Sequence, residues 1–304
     1  MTEAWFADFL LATIRAAVPL VFCALGVLLS ERAGVWNIGV EGTMLAGALV
    51  AVLTAIVTGN VWLALVFTVL IGFAVGALQG VFTVFLPADQ VVVGIAINLT
   101  SLGATSFAYK IMINKGIPLA APRTLVSTLP GLREAPVIGF FASISPLAYL
   151  AIGLVILTYY FLFRTGPGLL LRSLGESAHA AHAAGINVNG VRYLTLAVGS
   201  AMAALGGAAL TLAWVPSFTD NITMGRGFIA LAAVYFGRWN PVLALAATLL
   251  FGAGEALAFR AQAAGVGLNP FYYMMMPYML TLLVVGLTGR AVGPKDSGNP
   301  FIRR

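Results

Sequence analysis

The sequence predicts an all-α fold: a single domain over 1–304, built as a polytopic bundle of transmembrane helices. Apolar residues make up 61% of the chain and charged residues 9%, where a water-soluble domain carries roughly a quarter charged. Mean hydropathy is +0.99. Charge is also absent from five long runs, 42–88, 90–109, 135–163, 193–219 and 261–289. Each can supply the roughly 20 apolar residues that cross the hydrocarbon as a helix, and the first is long enough for two passes.

About nine hydrophobic segments follow in order. The first, 9–29, resembles a signal peptide in hydropathy, but Glu3 and Asp8 precede it where a cleaved signal carries positive charge. Phe22 is too bulky for a lipoprotein cleavage site before Cys23, so the segment is a retained span. As the only cysteine, Cys23 has no disulfide or metal-site partner and is assigned to core packing. Segments two to four are 38–57, 61–85 and 91–113. Gly72, Gly76 and Gly80 recur every four residues on the third, a smooth face that lets another helix backbone approach closely.

The connection 114–137 carries Pro118, Pro122, Pro130 and Pro136 and reads as an irregular loop. Segment five is 141–163. The stretch 164–192 is then polar, basic and Ala-rich, a structured piece held at the water surface between spans. Segment six, 193–214, has Gly199, Ala203, Gly206 and Gly207 on a smooth side. Segment seven, 228–236, is too short to span; bounded by Gly225, Gly227 and Gly237, it belongs inside the bundle, where broken backbone is tolerated at membrane depth. Segments eight and nine are 241–259 and 272–287, and 290–304 is a tail.

Lys and Arg in the connections set orientation. With 164–192 cytoplasmic, alternation places Arg32, Arg164, Arg172, Arg192, Arg238, Arg290, Lys295, Arg303 and Arg304 inside. Lys110, Lys115, Arg123, Arg133, Arg226 and Arg260 fall outside. The bias favours an external N-terminus and a cytoplasmic C-terminus. The net charge of +6 thus reads as topology rather than nucleic-acid binding.

Polar residues within the apolar segments are the candidate site. Gly34, Gly39 and Gly42 loosen the backbone where Trp36, Asn37 and Glu41 enter the membrane. An ionisable group there faces the bundle interior or pairs, so Glu41 is either a pathway residue or a structural anchor. Asn98 and Gln79 read as interhelical hydrogen-bonding groups or as pathway lining, and Glu255, among small residues, as a helix contact or a lumen residue. Trp36, Asn37, Glu41 and Asn98 are the substrate-pathway candidates. His179 and His182 are three apart but have no third ligand, so no metal site is expected. No catalytic nucleophile and base converge, and no GxxxxGK[ST] phosphate loop occurs. If transport is ATP-driven, the motor is another chain.

The stretches 31–47 and 172–207, with the block 226–257 and its GRWNP at 237–241, resemble the permease subunits of bacterial ABC importers for simple sugars and nucleosides. The likeness is to the ribose-permease-like branch that works with basic-membrane-lipoprotein-type binding proteins. Ribose-type permeases usually carry one more N-terminal helix, and this chain begins one span later. The resemblance implies a coupling helix in 164–192 that docks on the ATPase. The general permease pattern there is EAA, three residues, then Gly; here His179, Ala180 and Ala181 are followed by Gly185, with histidine at the acidic position. Arg172 and Glu176 are the expected rim contacts, and Gly185 the expected helix stop.

By the same resemblance the partners are an ABC ATPase subunit that uses the ATP, a second related permease in a heterodimer, and an extracytoplasmic substrate-binding lipoprotein. The chain itself takes no cofactor. The location is the bacterial cytoplasmic (inner) membrane. The cargo expectation is a nucleoside, from the GVWNIGVEG form of 34–42, with simple sugars as the alternative. An ion-coupled secondary transporter using Glu41 or Glu255 is the rival from another class.

Overall fold

The computed structural model describes residues 2–121, 125, 140–263 and 293–301, together with 272, 275, 279, 282 and 286. Its helices are α1 (Thr2–Arg32), α2 (Val40–Thr58), α3 (Val61–Gly80), α4 (Gln90–Asn114), α5 (Pro146–Arg164), α6 (Gly166–Glu176), α7 (Ala178–Ala183), α8 (Val188–Ala209), α9 (Arg226–Phe236) and α10 (Pro241–Ala263). Helices α3 and α8 each run on into a π-helical turn, Val81–Phe85 and Leu210–Trp214. Among the described residues, α1 to α5, α8 and α10 are long and apolar enough to cross a membrane, and α9 is the short apolar helix. Eight of the nine expected segments therefore coincide with helices. The ninth, 272–287, and the 114–137 connection lie largely outside the described residues.

Helix α8 stands at the centre, packed on α1, α2 and α3. Its sequence explains the position, because lipid offers no hydrophobic drive between helices and close backbone packing must replace it. A Cβ built on Gly199 would lie 2.4 Å from the Gly26 carbonyl oxygen, and one on Gly206 2.5 Å from Cys23 Sγ; these residues form the contact with α1. Gly207 faces α2, where a Cβ would sit 1.9 Å from the Met44 carbonyl oxygen. The Gly72, Gly76 and Gly80 stripe of α3 meets Ala201, Ser200 and Tyr193 of the same helix. Cys23 is fully buried and donates weakly to the Ala203 carbonyl at 3.5 Å.

Gly207→Ala should lower the melting temperature of the detergent-solubilised chain, at a cost of about 1–3 kcal/mol for overpacking. Gly153→Ala is the control, since a Cβ there meets nothing within 4 Å, and alanine in an open helix interior should be neutral or stabilising. Equal melting temperatures for the two variants would show that the α2–α8 contact is looser than this geometry.

At one end of the bundle, α6 and α7 lie against the exit of α1: the Arg32 carbonyl oxygen sits 2.4 Å from a Cβ built on Gly175. Arg32 and Arg172 both place their guanidinium groups over Phe163 at this end. The GRWNP turn between α9 and α10 reaches it too. Arg238 and Trp239 have φ of 49° and 53°, left-handed conformations that cost about 1–3 kcal/mol for non-glycine residues and persist only where surroundings fix them. Here Trp239 Nε1 donates to Glu31 Oε2 at 2.5 Å, and Arg32 Nη2 and Nε donate to the Trp239 carbonyl at 2.7 and 3.0 Å. The opposite end is closed by Arg260, stacked over Trp5 and donating to its carbonyl at 3.2 Å.

Candidate functional site

The site begins with two interruptions that meet. Between α1 and α2 the chain runs non-helically over 34–39, turned by Gly34 at φ 85°. Helix α9 starts abruptly after Gly225, at φ 80°, with no side-chain cap of its own. It has eleven residues, about 16 Å at 1.5 Å per residue, close to half the hydrocarbon thickness. A helix that starts inside the bundle leaves N–H groups unpaired, and the missing acceptor comes from α2.

That acceptor is Glu41. Its Oε1 accepts from Thr223 Oγ1 at 2.6 Å and from the Gly225 N–H at 2.7 Å; its Oε2 accepts from the Gly227 N–H at 2.7 Å. The carboxylate thus lies on the positive end of the α9 dipole, where a negative charge is favoured. Gly227 is required by this approach, since a Cβ there would come within 2.7 Å of Glu41 Cα.

Arg226 secures the same turn from the other side. It forms an ion pair with Glu255 of α10, donates to the Ile222 and Thr223 carbonyls at 3.0 and 3.3 Å, and stacks over Trp214. Alternation places Arg226 on the outer side, and the structure adds that it is held within the bundle there rather than standing free in a loop. Its side chain is 11% exposed, and it belongs to the interior because its helix begins there. Glu255, by the same contact, is a helix-to-helix tie.

Asn98 of α4 completes the polar wall. Its Oδ1 accepts from the Gly42 N–H at 2.7 Å and its Nδ2 donates to the Ile38 carbonyl at 2.9 Å, so α4 is fastened to the broken backbone before α2. A cavity of about 320 Å³ opens between these groups, lined among others by Glu41, Leu45, Asn98, Leu99, Asn221 and Phe228. The cavity has polar groups at its Glu41 and Asn98 side and apolar surface at Leu99 and Phe228, a combination suited to an amphipathic small molecule.

Of the four pathway candidates, the structure brings Glu41 and Asn98 to this cavity and sets the other two apart. The Trp36 N–H donates to Gln90 Oε1 at 2.8 Å while its ring packs on Gly298. Asn37 is fully buried and donates to Ser200 Oγ at 3.3 Å. Phe228, Asn221 and Thr223 escaped the sequence reading; the glycines flanking a segment too short to span were the available signal.

The second candidate surface is the α6–α7 end. Thr165 Oγ1 caps α6 by accepting from the Gly168 N–H at 3.2 Å, and Ser177 Oγ caps α7 through the Ala180 N–H at 3.2 Å. Helix α7 stops where the sequence places its end. Gly185 is left-handed at φ 86°, its N–H bonds the His182 carbonyl at 2.9 Å, and the Ile186 N–H bonds the Ala181 carbonyl at 3.1 Å, the paired bonds of a Schellman motif. Ala181 turns inward, 4% exposed, against Leu174, Ala178 and Val188. The open face carries Glu176, His179, Ala180 and Gly185, and Arg172 lies over Phe163. Both histidine rings flank Phe301, at centroid distances of 5.2 and 5.3 Å.

A bundle of spans with a half-length helix, an open cavity beside its N-terminus and a helical knuckle at one end fits a polytopic membrane permease. Residues 9–285 match the family described as branched-chain amino acid transport system / permease component, and the chain belongs to that family. It is 38% identical to the guanosine ABC transporter permease protein NupQ of Bacillus subtilis, over 96% of this chain and 95% of the relative. It is 36% identical to the nucleoside ABC transporter permease protein NupC of Lactococcus lactis, over 94% of each. The putative glucose ABC transporter permease protein TsgC13 of Haloferax volcanii is 36% identical over 87% of this chain and 80% of its own length. No solved structure matches the chain.

Proposed function

We propose that the chain is one half of the membrane pathway of a nucleoside importer powered by a separate ABC ATPase. The cavity beside Glu41 carries this reading: Asn98 and Asn221 offer amides to a sugar or base edge, and Phe228 offers a ring face on which a base can stack. Similarity over nearly full length to permeases named for guanosine and nucleosides supports the same cargo. Few residues of α4 are buried, among them Gln90, Gly94, Thr105 and Met112, which suits a helix that faces a second, related permease. The α6–α7 end faces the cytoplasm and docks on the ATPase, with Arg172 and Glu176 at the rim and His179, Ala180 and Gly185 on the contact face; Ala181 holds α7 to its base. An extracytoplasmic binding lipoprotein delivers substrate to the other end, where the N-terminus lies. The chain has no ATPase site of its own and needs no cofactor.

The test is reconstitution with the ATPase and second permease in proteoliposomes. ATP-dependent uptake of guanosine, with no uptake of glucose under the same conditions, is the expected result. Ala180→Trp should abolish co-purification of the ATPase while the chain remains inserted and folded. Uptake by this chain alone on an ion gradient would replace the reading with a secondary transporter, and glucose uptake without guanosine uptake would move the cargo to sugars.

A further inference from the structure

Residues 293–301 cross the α6–α7 end and touch α6, α7, the start of α8, the turn at Trp239 and the backbone after α1. Gly293 lies against the indole of Trp239, 2.6 Å from a Cβ built on it. The Asp296 N–H donates to the Gly175 carbonyl at 2.8 Å, in the last turn of α6. Asp296 Oδ2 accepts from the Ala178 N–H at 2.8 Å, capping α7 from outside, and lies 3.8 Å from Arg192 Nη2 at the start of α8. Arg192, 2% exposed, donates further to the Asn299 carbonyl at 2.8 Å and the Ala33 carbonyl at 3.2 Å. The Gly298 N–H donates to the Gly34 carbonyl at 3.1 Å, and Phe301 closes on His179 and His182.

The path of contacts is therefore continuous. The knuckle α6–α7 is bonded to this strap, the strap to Gly34, and Gly34 opens the 34–39 break that leads into α2, whose second residue, Glu41, lines the cavity wall. Helix α7 has six residues and is too short to hold its direction unaided; its N-terminal N–H groups are shared between Ser177 and Asp296. A displacement of the knuckle therefore cannot leave the 34–39 backbone behind without breaking hydrogen bonds to buried or charged groups, the expensive kind.

We infer that the 293–301 strap transmits motion between the coupling helix and the cavity, and that Asp296 is its positioning residue. This rests on the reading that α6–α7 docks on an ATPase. Asp296 is not among the residues that line the Glu41 cavity; it fixes the angle between α7 and α8 by holding the Ala178 N–H and Arg192 together.

The experiment compares complexes of the chain with its ATPase and second permease, purified and reconstituted with the cognate binding protein. Guanosine uptake and phosphate release are measured in the same vesicles. Asp296→Ala should keep ATPase co-purification and ATP hydrolysis while guanosine imported per ATP falls roughly tenfold, the scale of one lost hydrogen bond to a charged group. Asp296→Asn retains an oxygen for the Ala178 N–H and should recover most of the ratio. If Asp296→Ala does not accumulate, Phe301→Ala removes the far anchor of the strap and should lower the ratio in the same sense. An unchanged ratio in whichever variant accumulates would overturn the proposal. Failure of the ATPase to co-purify with the wild-type chain would instead overturn the docking reading, and the strap with it.

Discussion

Glu41→Ala should abolish accumulation of folded chain, and Glu41→Gln should reduce it less. Alanine leaves the Thr223 hydroxyl and the Gly225 and Gly227 N–H groups without the carboxylate that now receives all three. An unsatisfied buried donor costs about 1–3 kcal/mol, and three at one helix start exceed what most single substitutions remove. Glutamine keeps one acceptor oxygen, enough for two of the donors, but presents an NH₂ to the third and gives no negative charge to the α9 dipole. Monodispersity and melting temperature in detergent read the folding effect, and guanosine uptake per folded complex reads the pathway effect. A Glu41→Ala chain that melts with wild type would remove Glu41 as the cap of α9. A normal melt with lost uptake would make it a pathway residue alone.

The fold was legible because lipid leaves the chain few choices. Charge-free length located the spans, and the Gly72, Gly76 and Gly80 spacing located a contact that the structure assigns to α8. The break before α2 was legible from Gly34 and Gly39, and the shortness of 228–236 marked a half-helix. Its partner was not: nothing local in Gly225 to Gly227 says that the missing acceptor is 184 residues earlier in the chain. The partners of Arg226 were hidden for the same reason, since a charge beside a short segment shows neither the Glu255 carboxylate nor the 222–223 carbonyls that hold it. Trp36 and Asn37 share the loosened stretch with Glu41, yet only three-dimensional register shows that they stop short of the cavity. The motif spacing at His179 to Gly185 located the helix end correctly, but a six-residue helix has too little periodicity to reveal that Ala181 faces inward.

The Arg226–Glu255 pair is the other place where a single change should be severe, and where a double change should be milder. Both side chains are 11% exposed, so Glu255→Leu strands a guanidinium and Arg226→Met strands a carboxylate. Removing one partner of a buried pair costs about 3–5 kcal/mol, whereas replacing both with apolar groups of similar volume is often close to neutral. Arg226→Met/Glu255→Leu should therefore regain most of the melting temperature lost by either single variant. Recovery should stop short of wild type, because Arg226 also donates to the Ile222 and Thr223 carbonyls, and methionine offers these nothing. That residue of lost stability should appear in Arg226→Met and in the double variant but not in Glu255→Leu, which leaves the guanidinium free to hold the 222–223 turn. Simple additivity of the two single effects would mean the groups act independently. The turn that presents Thr223 to Glu41 would then have to be fixed by the carbonyl contacts alone.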